Sequence, residues 1–531
     1  MHAVTAGTSG LAAARLDLRL VPAALTSWAV TAAGILWPIG GVIAVVSVIV
    51  ALASGTWLWR STRQGSHAMA QTTSAGLLGV AVVGIGFGFA VALRADGVHL
   101  HPITSRFGTV AVATVTPSES PHSLGNGRMM FRANLQRVGP DEMSGPVVVF
   151  APVLGFSQLA AGQPAQFRAR ITRPTRHDLS VAVLNATGEP ALGQAARVQR
   201  AAHSVRARFA DAARAVLPAD QAAMLPALVL GDTSAVTNTT TAEFGAAGLT
   251  HLTAVSGANV TIVCGAVLFS SRLVGPRMAV ALAAVALVAF VVVVQPTASV
   301  LRAAVMGALA LLAVLSSRRR QAIPVLSATV IVLMVATPQL AVDVGFALSV
   351  SATAALVVIA PVWSRRLVGR GWPKPLADAA CIACAAQLVT APLVAGISGR
   401  FSMVAVAANL AVAALIAPIT VLGTAAAALC VFWQGSAQLL IRFTGPELWW
   451  LLRVAHWAAG VPGATVPVPS GMPGVLVVGV AGALTVVLWR WRWCRAALCC
   501  VLLCLLAWSA SGLLVGRGGV ALSAARDTII G

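Results

Sequence analysis

Apolar runs long enough to form helices recur along this chain, and short clusters of arginine stand between them. A segment inside a bilayer must satisfy its own backbone hydrogen bonds, which leaves the membrane-spanning helix as the economical outcome for such runs. Spans are read at 23–37, 41–59, 74–93, 252–271, 277–294, 299–316, 322–337, 343–363, 378–396, 402–417, 418–433, 473–489 and 495–516. The count is about thirteen, give or take two, because several runs fall below the ~20 residues an upright helix needs. Only 10% of residues are charged and 58% are hydrophobic, far from the roughly one-quarter charged of soluble domains.

The arginines orient these spans. Arg15 and Arg19 precede the first, and Arg60 and Arg63 follow the second. Arg272 with Arg277, Arg318 to Arg320, then Arg365, Arg366, Arg370 and Lys374, and finally Arg490, Arg492 and Arg495 come later. With the spans above, every cluster falls on one side, and only isolated residues such as Arg400, Arg442 and Arg453 fall opposite. The positive-inside rule puts the N-terminus in the cytoplasm of a multi-pass cytoplasmic-membrane protein. The start of the chain is not expected to be a secretory signal, because a polar arm leads into apolar sequence with no clear cleavage site.

A polar region interrupts the spans and is expected outside the cell. Short alternating runs at 108–115, 128–138, 146–152, 166–172 and 179–184 read as strands, separated by turns at Ser123–Gly127 and Gly139–Asp141. Five short strands suit a small barrel of the OB type. Residues 191–217 read as an amphipathic helix bearing Arg197, Arg200, Arg206, Arg208 and Arg214. The expected organisation is N-terminal helices over 1–95, the barrel over 96–190 and a helical connector over 191–222. The main helical domain follows over 223–516, with a tail over 517–531. The fold class is a mainly α, polytopic helical bundle with an inserted extracytoplasmic β-barrel.

One apolar segment breaks the pattern. In Gly248-Leu-Thr-His-Leu-Thr-Ala-Val-Ser-Gly-Ala-Asn-Val260, polar residues and glycines stand where lipid would favour leucine. Read as one helix, Thr253, Ser256 and Asn259 sweep an arc of about 120° on one face. Such a stripe must face protein or water, because each unpaired polar group in hydrocarbon costs several kcal/mol. It is either a polar contact between helices or the wall of a path.

This segment, with its histidine and Ser-Gly pair, resembles the first signature of the ComEC family of competence DNA-uptake channels. Three further stretches are similar to that family, in the same order. They are Pro296-Thr-Ala-Ser-Val-Leu-Arg-Ala-Ala-Val-Met306, Asp343-Val-Gly-Phe-Ala-Leu-Ser349 with Ser351-Ala-Thr353, and Gln387-Leu-Val-Thr-Ala-Pro392 joined to Arg400-Phe-Ser402, Asn409 and Pro418. The resemblance covers most of the hydrophobic half. It implies a channel domain behind an OB-like domain. Relatives often add a metallo-β-lactamase-type nuclease, and the clustered His and Asp motif of that domain has no counterpart here.

Several chemistries are disfavoured by the residues themselves. The one lysine, Lys374, precedes Pro375, so no phosphate-binding Gly-Lys-Ser/Thr loop exists. His99-Leu-His101 lacks a following Asp-His. Cys381-Ile-Ala-Cys384 shares one face of an apolar helix, with no second pair at zinc-like distance. The polar region has no cysteine, so no disulfide framework is expected there. Ser256 and His251 with Asp232 could suggest a hydrolase, but i to i+5 on one straight helix separates serine and histidine by about 140°. No catalytic residue, metal or cofactor is expected.

Arg302 is the strongest single residue. An arginine at the centre of a membrane helix costs at least ~2.5 kcal/mol and normally finds a partner or water. It either snorkels to the outer interface or stands beside a polar path, contacting phosphate or pairing with Asp343 or Asp232. Asp343 reads as the cap of its helix. The expected path residues are His251, Thr253, Ser256, Asn259, Arg302, Asp343, Gln387 and Asn409. In the polar region fourteen arginines face eight acids between Arg94 and Asp220. Arg128, Arg132, Arg168 and Arg170 are expected to capture DNA, with attraction to lipid headgroups as the competing account.

The expected function is passage of single-stranded DNA into the cytoplasm during natural transformation. The alternative is a transporter or scaffold for an envelope component on the same fold. Expected partners are single-stranded DNA, membrane lipids, and a separate DNA receptor, nuclease and cytosolic motor or DNA-binding protein. The sequence leaves monomer and homo-oligomer open.

Overall fold

The computed structural model describes residues 17–488, apart from Pro38, residues 64–67, Gln158, Ala254, residues 272–273, Pro296 and residues 316–320. The span expected at 495–516 and the tail lie outside the described residues. So do Arg15, Arg272, Arg318 to Arg320, Arg490, Arg492, Arg495 and the cysteines beyond Cys430.

Three helices open the chain, α1 (Val21–Leu36), α2 (Gly40–Arg63) and α3 (Ala68–His99). The polar region then forms β1 (Val110–Pro117), β2 (His122–Gly125), β3 (Arg128–Val138), β4 (Asp141–Pro152), a single turn α4 (Val153–Phe156), β5 (Ala165–Thr172) and β6 (Ala182–Leu192). Strand order β1-β5-β6-β4-β3 closes on itself through β1–β3, giving a five-stranded barrel with β2 on its edge. Every neighbouring pair in the ring is antiparallel except β4–β6. Strict alternation drives closure: in β5, Ala165, Phe167, Ala169 and Ile171 are buried while Gln166, Arg168 and Arg170 face out. Phe156 packs edge-on against Phe167 and also meets Phe131 in the core. The turn expected at Ser123–Gly127 holds the edge strand β2, because Asn126 and Gly127 both adopt positive φ, as a tight hairpin requires.

The helices continue with α5 (Arg197–Val216), α6 (Ala219–Leu230), α7 (Asn238–Ala246), α8 (Thr250–Thr253), α9 (Gly257–Ser270) and α10 (Pro276–Val294). Next come α11 (Ala298–Leu315), α12 (Ala322–Ala336), α13 (Val344–Val358), α14 (Ala360–Val368) and α15 (Lys374–Ser398). The last are β7 (Arg400–Ser402), α16 (Ala405–Leu429), α17 (Gln434–Phe443), α18 (Gly445–Ala459), β8 (Thr465–Pro467) and α19 (Met472–Leu488). Among the described residues, six stretches are long and apolar enough to cross a membrane: Gly40–Arg60, Thr73–Arg106, Pro276–Val294, Val344–Val368, Lys374–Ser398 and Ala405–Leu429. Six shorter apolar helices accompany them.

Two expectations are corrected. The spans read at 402–417 and 418–433 are one helix, α16, which runs through Pro418. The two hydropathy peaks do not mark two passes, because neighbours supply the packing that one lost backbone bond removes. The chain's return is made by α17 and α18, since β7 and β8 pair at Arg400–Pro467, Phe401–Val466 and Ser402–Thr465. The 248–260 segment is also not one helix. It ends as α8 at Thr253 and resumes as α9 at Gly257, with Ser256 in extended backbone. Thr253, Ser256 and Asn259 therefore form no continuous helical stripe.

The contacts divide the chain into two units. The first holds α1, α2, α3 and α12. Small residues let its helices approach closely: a side chain at Gly34 would strike Val91, and one at Gly88 would meet the Ala44 backbone. Trp28 of α1 donates its indole N–H to Ala341 O at 2.9 Å. The second unit holds the barrel and the remaining helices up to Ala308 and from Asp343. At its centre lies α6, a helix buried continuously from Met224 to Leu230. Gly423 of α16 admits it, because a Cβ there would sit 2.4 Å from Val229.

Candidate functional site

The break between α8 and α9 brings Ser256, Asn259 and Thr420 together. Ser256 occupies the N-cap of α9 but caps no backbone N–H. Its hydroxyl instead donates to Asn259 Oδ1 at 3.3 Å. Asn259 is buried; its Nδ2 donates to Leu228 O at 3.0 Å, and its Oδ1 also accepts from Thr420 Oγ1 at 3.4 Å. One asparagine thus ties α9 to α6 and α16. The first N–H groups of a helix have no partner within it, so an uncapped α9 presents positive partial charge at its first turn. Ala258 in that turn is exposed.

Arg302 lies over this turn. A Cβ placed on Gly257 would sit 2.6 Å from Arg302 Nη2. The arginine is 6% exposed, so it does not snorkel to headgroups. Its Nε donates to Ser349 Oγ at 2.7 Å and its Nη1 meets Met306 Sδ at 3.2 Å. Ser349 and Ser299 hydroxyls are 3.2 Å apart, completing a small polar nest between α11 and α13. Among the described residues no carboxylate lies within ion-pair distance of Arg302. A guanidinium offers five donors, and a hydroxyl and a weakly accepting thioether leave most of them unused.

Asp343 does not pair with Arg302, and neither does Asp232. Asp343 caps α13, accepting from Phe346 N at 2.8 Å, while its other oxygen lies 3.7 Å from Arg132 Nη1 on β3. Asp232 follows the left-handed Gly231 that ends α6. It accepts from Ser234 Oγ at 2.7 Å and faces Arg206 Nη2 at 3.7 Å. Each acid is taken by another cation, which leaves Arg302 with no carboxylate partner among the described residues.

The other expected path residues are dispersed. His251 is accessible on the single turn of α8, where Thr253 returns its hydroxyl to Thr250 O. Asn409 binds Ala405 O at 2.8 Å and Gly248 O at 3.4 Å, securing the start of the signature segment against α16. Gln387 is half-buried on α15. Cys264, Cys381, Cys384 and Cys430 are free thiols.

On the barrel, Arg168 and Arg170 point outward from β5, in register with Thr187 and Asn185 of β6. Arg128 Nη2 approaches Asn185 Oδ1 at 3.5 Å and stacks over Phe150. One basic face thus runs from Arg168 and Arg170 through Arg128 to Arg132 beside Asp343. The barrel is seated here by a second contact, Ser120 Oγ donating to Gln295 Oε1 at 2.9 Å. Sequence reasoning missed Arg206 as a buried group. It donates to Val293 O and Val294 O, the last carbonyls of α10, as well as facing Asp232. Its place on an amphipathic helix gave no sign of that burial.

This fold and this site define a polytopic helical membrane protein carrying a small closed β-barrel. A family model described as competence protein matches residues 228–493, half of the chain. The chain therefore belongs to the ComEC-type competence protein family, membrane proteins of DNA uptake. The match encloses all four motif stretches and begins after the barrel. Comparison with curated proteins and with solved structures gave no match.

Proposed function

We propose that this protein conducts DNA, as a single strand, through the cytoplasmic membrane, and that Arg302 with the first turn of α9 is where a passing phosphate is bound. The observation that carries this reading is a buried arginine with no carboxylate in ion-pair reach among the described residues, set over a helix start that no side chain caps. Broken helices whose N-termini face anionic groups are a recurring device of membrane transport sites, and backbone is left irregular at membrane depth only where it is buried in protein or lines a cavity.

The basic face of the barrel supplies the approach. Arg168, Arg170 and Arg128 offer phosphate contacts without sequence preference, and Arg132 brings that face to the start of α13. Ser349, two turns along α13, holds Arg302. An inside-negative potential opposes each entering phosphate by about 2.3 kcal/mol per 100 mV. Entry therefore needs a cytosolic motor or binding ratchet to draw the strand in, and an outer receptor to deliver it.

The direct test is a deletion strain assayed for uptake of labelled DNA and for transformation, with plasmid electroporation as the control. Loss of uptake and transformation with normal electroporation supports the reading. Unchanged uptake would favour carriage of an envelope component instead.

A further inference from the structure

The first unit holds a cavity of about 340 Å³ between α1, α3 and the end of α12. Its walls include Thr31, Val83, Gly86, Phe87 and Met334, with Arg94 at its edge. The Thr31 hydroxyl is committed to Ser27 O at 2.6 Å, so Arg94 carries the charge available to an occupant. The space depends on a glycine: a Cβ built at Gly86 meets nothing within 4 Å. Elsewhere on the same helix, Gly84 and Gly88 are filled against by α2.

The cavity is a groove open on one side, with Val82, Gly86 and Val335 exposed along it, and its lining is mainly apolar. Its size lies in the range of small-molecule sites, roughly 300–1,000 Å³. Arg94 is exposed and donates through Nη2 to Val335 O at 3.1 Å; no carboxylate among the described residues pairs with it. An apolar slot edged by an arginine that no carboxylate among the described residues neutralises, on helices of a membrane protein, is complementary to one class of molecule. We propose that this cavity binds a single anionic phospholipid, one acyl chain lying along Gly86 and the phosphate resting on Arg94.

The test uses the full chain in nanodiscs of phosphatidylcholine with a minor share of phosphatidylglycerol, read by native mass spectrometry after mild delipidation. The wild type is expected to retain one phosphatidylglycerol per chain. Arg94→Gln should retain a lipid but lose about fivefold in preference for phosphatidylglycerol, the equivalent of about 1 kcal/mol per basic residue at an anionic surface. Gly86→Leu should fill the slot and abolish retention, while Arg60→Gln, on another helix, should change neither. Wild type without a retained lipid, or with no headgroup preference that Arg94→Gln removes, would overturn the proposal. A dimer mass abolished by Gly86→Leu would overturn it too, by giving the slot to a second copy. Arg94→Gln alters an exposed side chain, so it decides the matter even if Gly86→Leu does not fold.

Discussion

Arg132 Nη1 of the barrel stands 3.7 Å from Asp343 Oδ2, the residue that caps α13. The arginine is half exposed, so the ion pair contributes well under 1 kcal/mol, and the cap contributes about 0.5–2 kcal/mol. Asp343→Asn should keep most of the cap and change thermal unfolding little, whereas Asp343→Ala should lower stability by about the value of a cap. Thermal unfolding of the purified protein checks this, and equal losses for both variants would make the ion pair the dominant contact.

Gly257 gives the sharpest steric prediction. A methyl group there would sit 2.6 Å from Arg302 Nη2 and 3.4 Å from Ala303 Cβ. Gly257→Ala should leave the protein inserted but displace the guanidinium and reduce DNA uptake. Gly265→Ala on the same helix meets nothing within 4 Å and should be silent. Uptake measured at matched membrane abundance separates the two, and equal activity would mean that the position of Arg302 does not matter.

The seating of α5 should depend on pH. Burial, then the neighbouring Arg206 charge, lower the His203 pKa below its ordinary 6.5, against a hydrogen bond to the Ala161 backbone. Its Nε2 is sealed without a partner. The unfolded chain therefore takes the proton first. The contribution is complete above pH 6.5 and is lost as pH falls below it. Hydrogen exchange across Arg197–Val216, corrected for intrinsic rate, should rise on acidification in the wild type and much less in His203→Asn. Equal loosening of both would place the effect elsewhere.

The orientation read from the arginines also predicts reporter behaviour. Fusions after Arg63 and at Arg370 should read cytoplasmic, and one at Gly125 extracytoplasmic. A shared signal at all three would break the positive-inside assignment.

Much of the barrel was legible because period-two burial leaves a direct trace, as in Ala165 to Ile171. The helix α6 was not, because its apolar run from Met224 to Leu230 is too short to stand out as a span. Pro418 suggested a boundary that tertiary packing overrides. The residues of the signature segment were legible as unusual, but the extended backbone at Ser256 was not: a polar stripe and a broken helix look alike in sequence. Arg302 could be recognised as costly, yet its partners could not. Asp343 and Asp232 were the nearest acids in the pattern, and only the fold shows Arg132 and Arg206 reaching them first.

The most direct measurement compares labelled-DNA entry through Arg302→Leu, Arg302→Lys and Arg400→Leu at equal membrane abundance. Arg302→Leu should lower passage about tenfold or more, the loss of one charged contact of about 1.5–3 kcal/mol. Arg302→Lys should keep part of the activity, as a cation without the planar fork. Arg400 is exposed at the start of β7, and Arg400→Leu should pass DNA nearly as the wild type does. Equal passage through Arg302→Leu and Arg400→Leu would contradict a phosphate site at Arg302 and the path built around it.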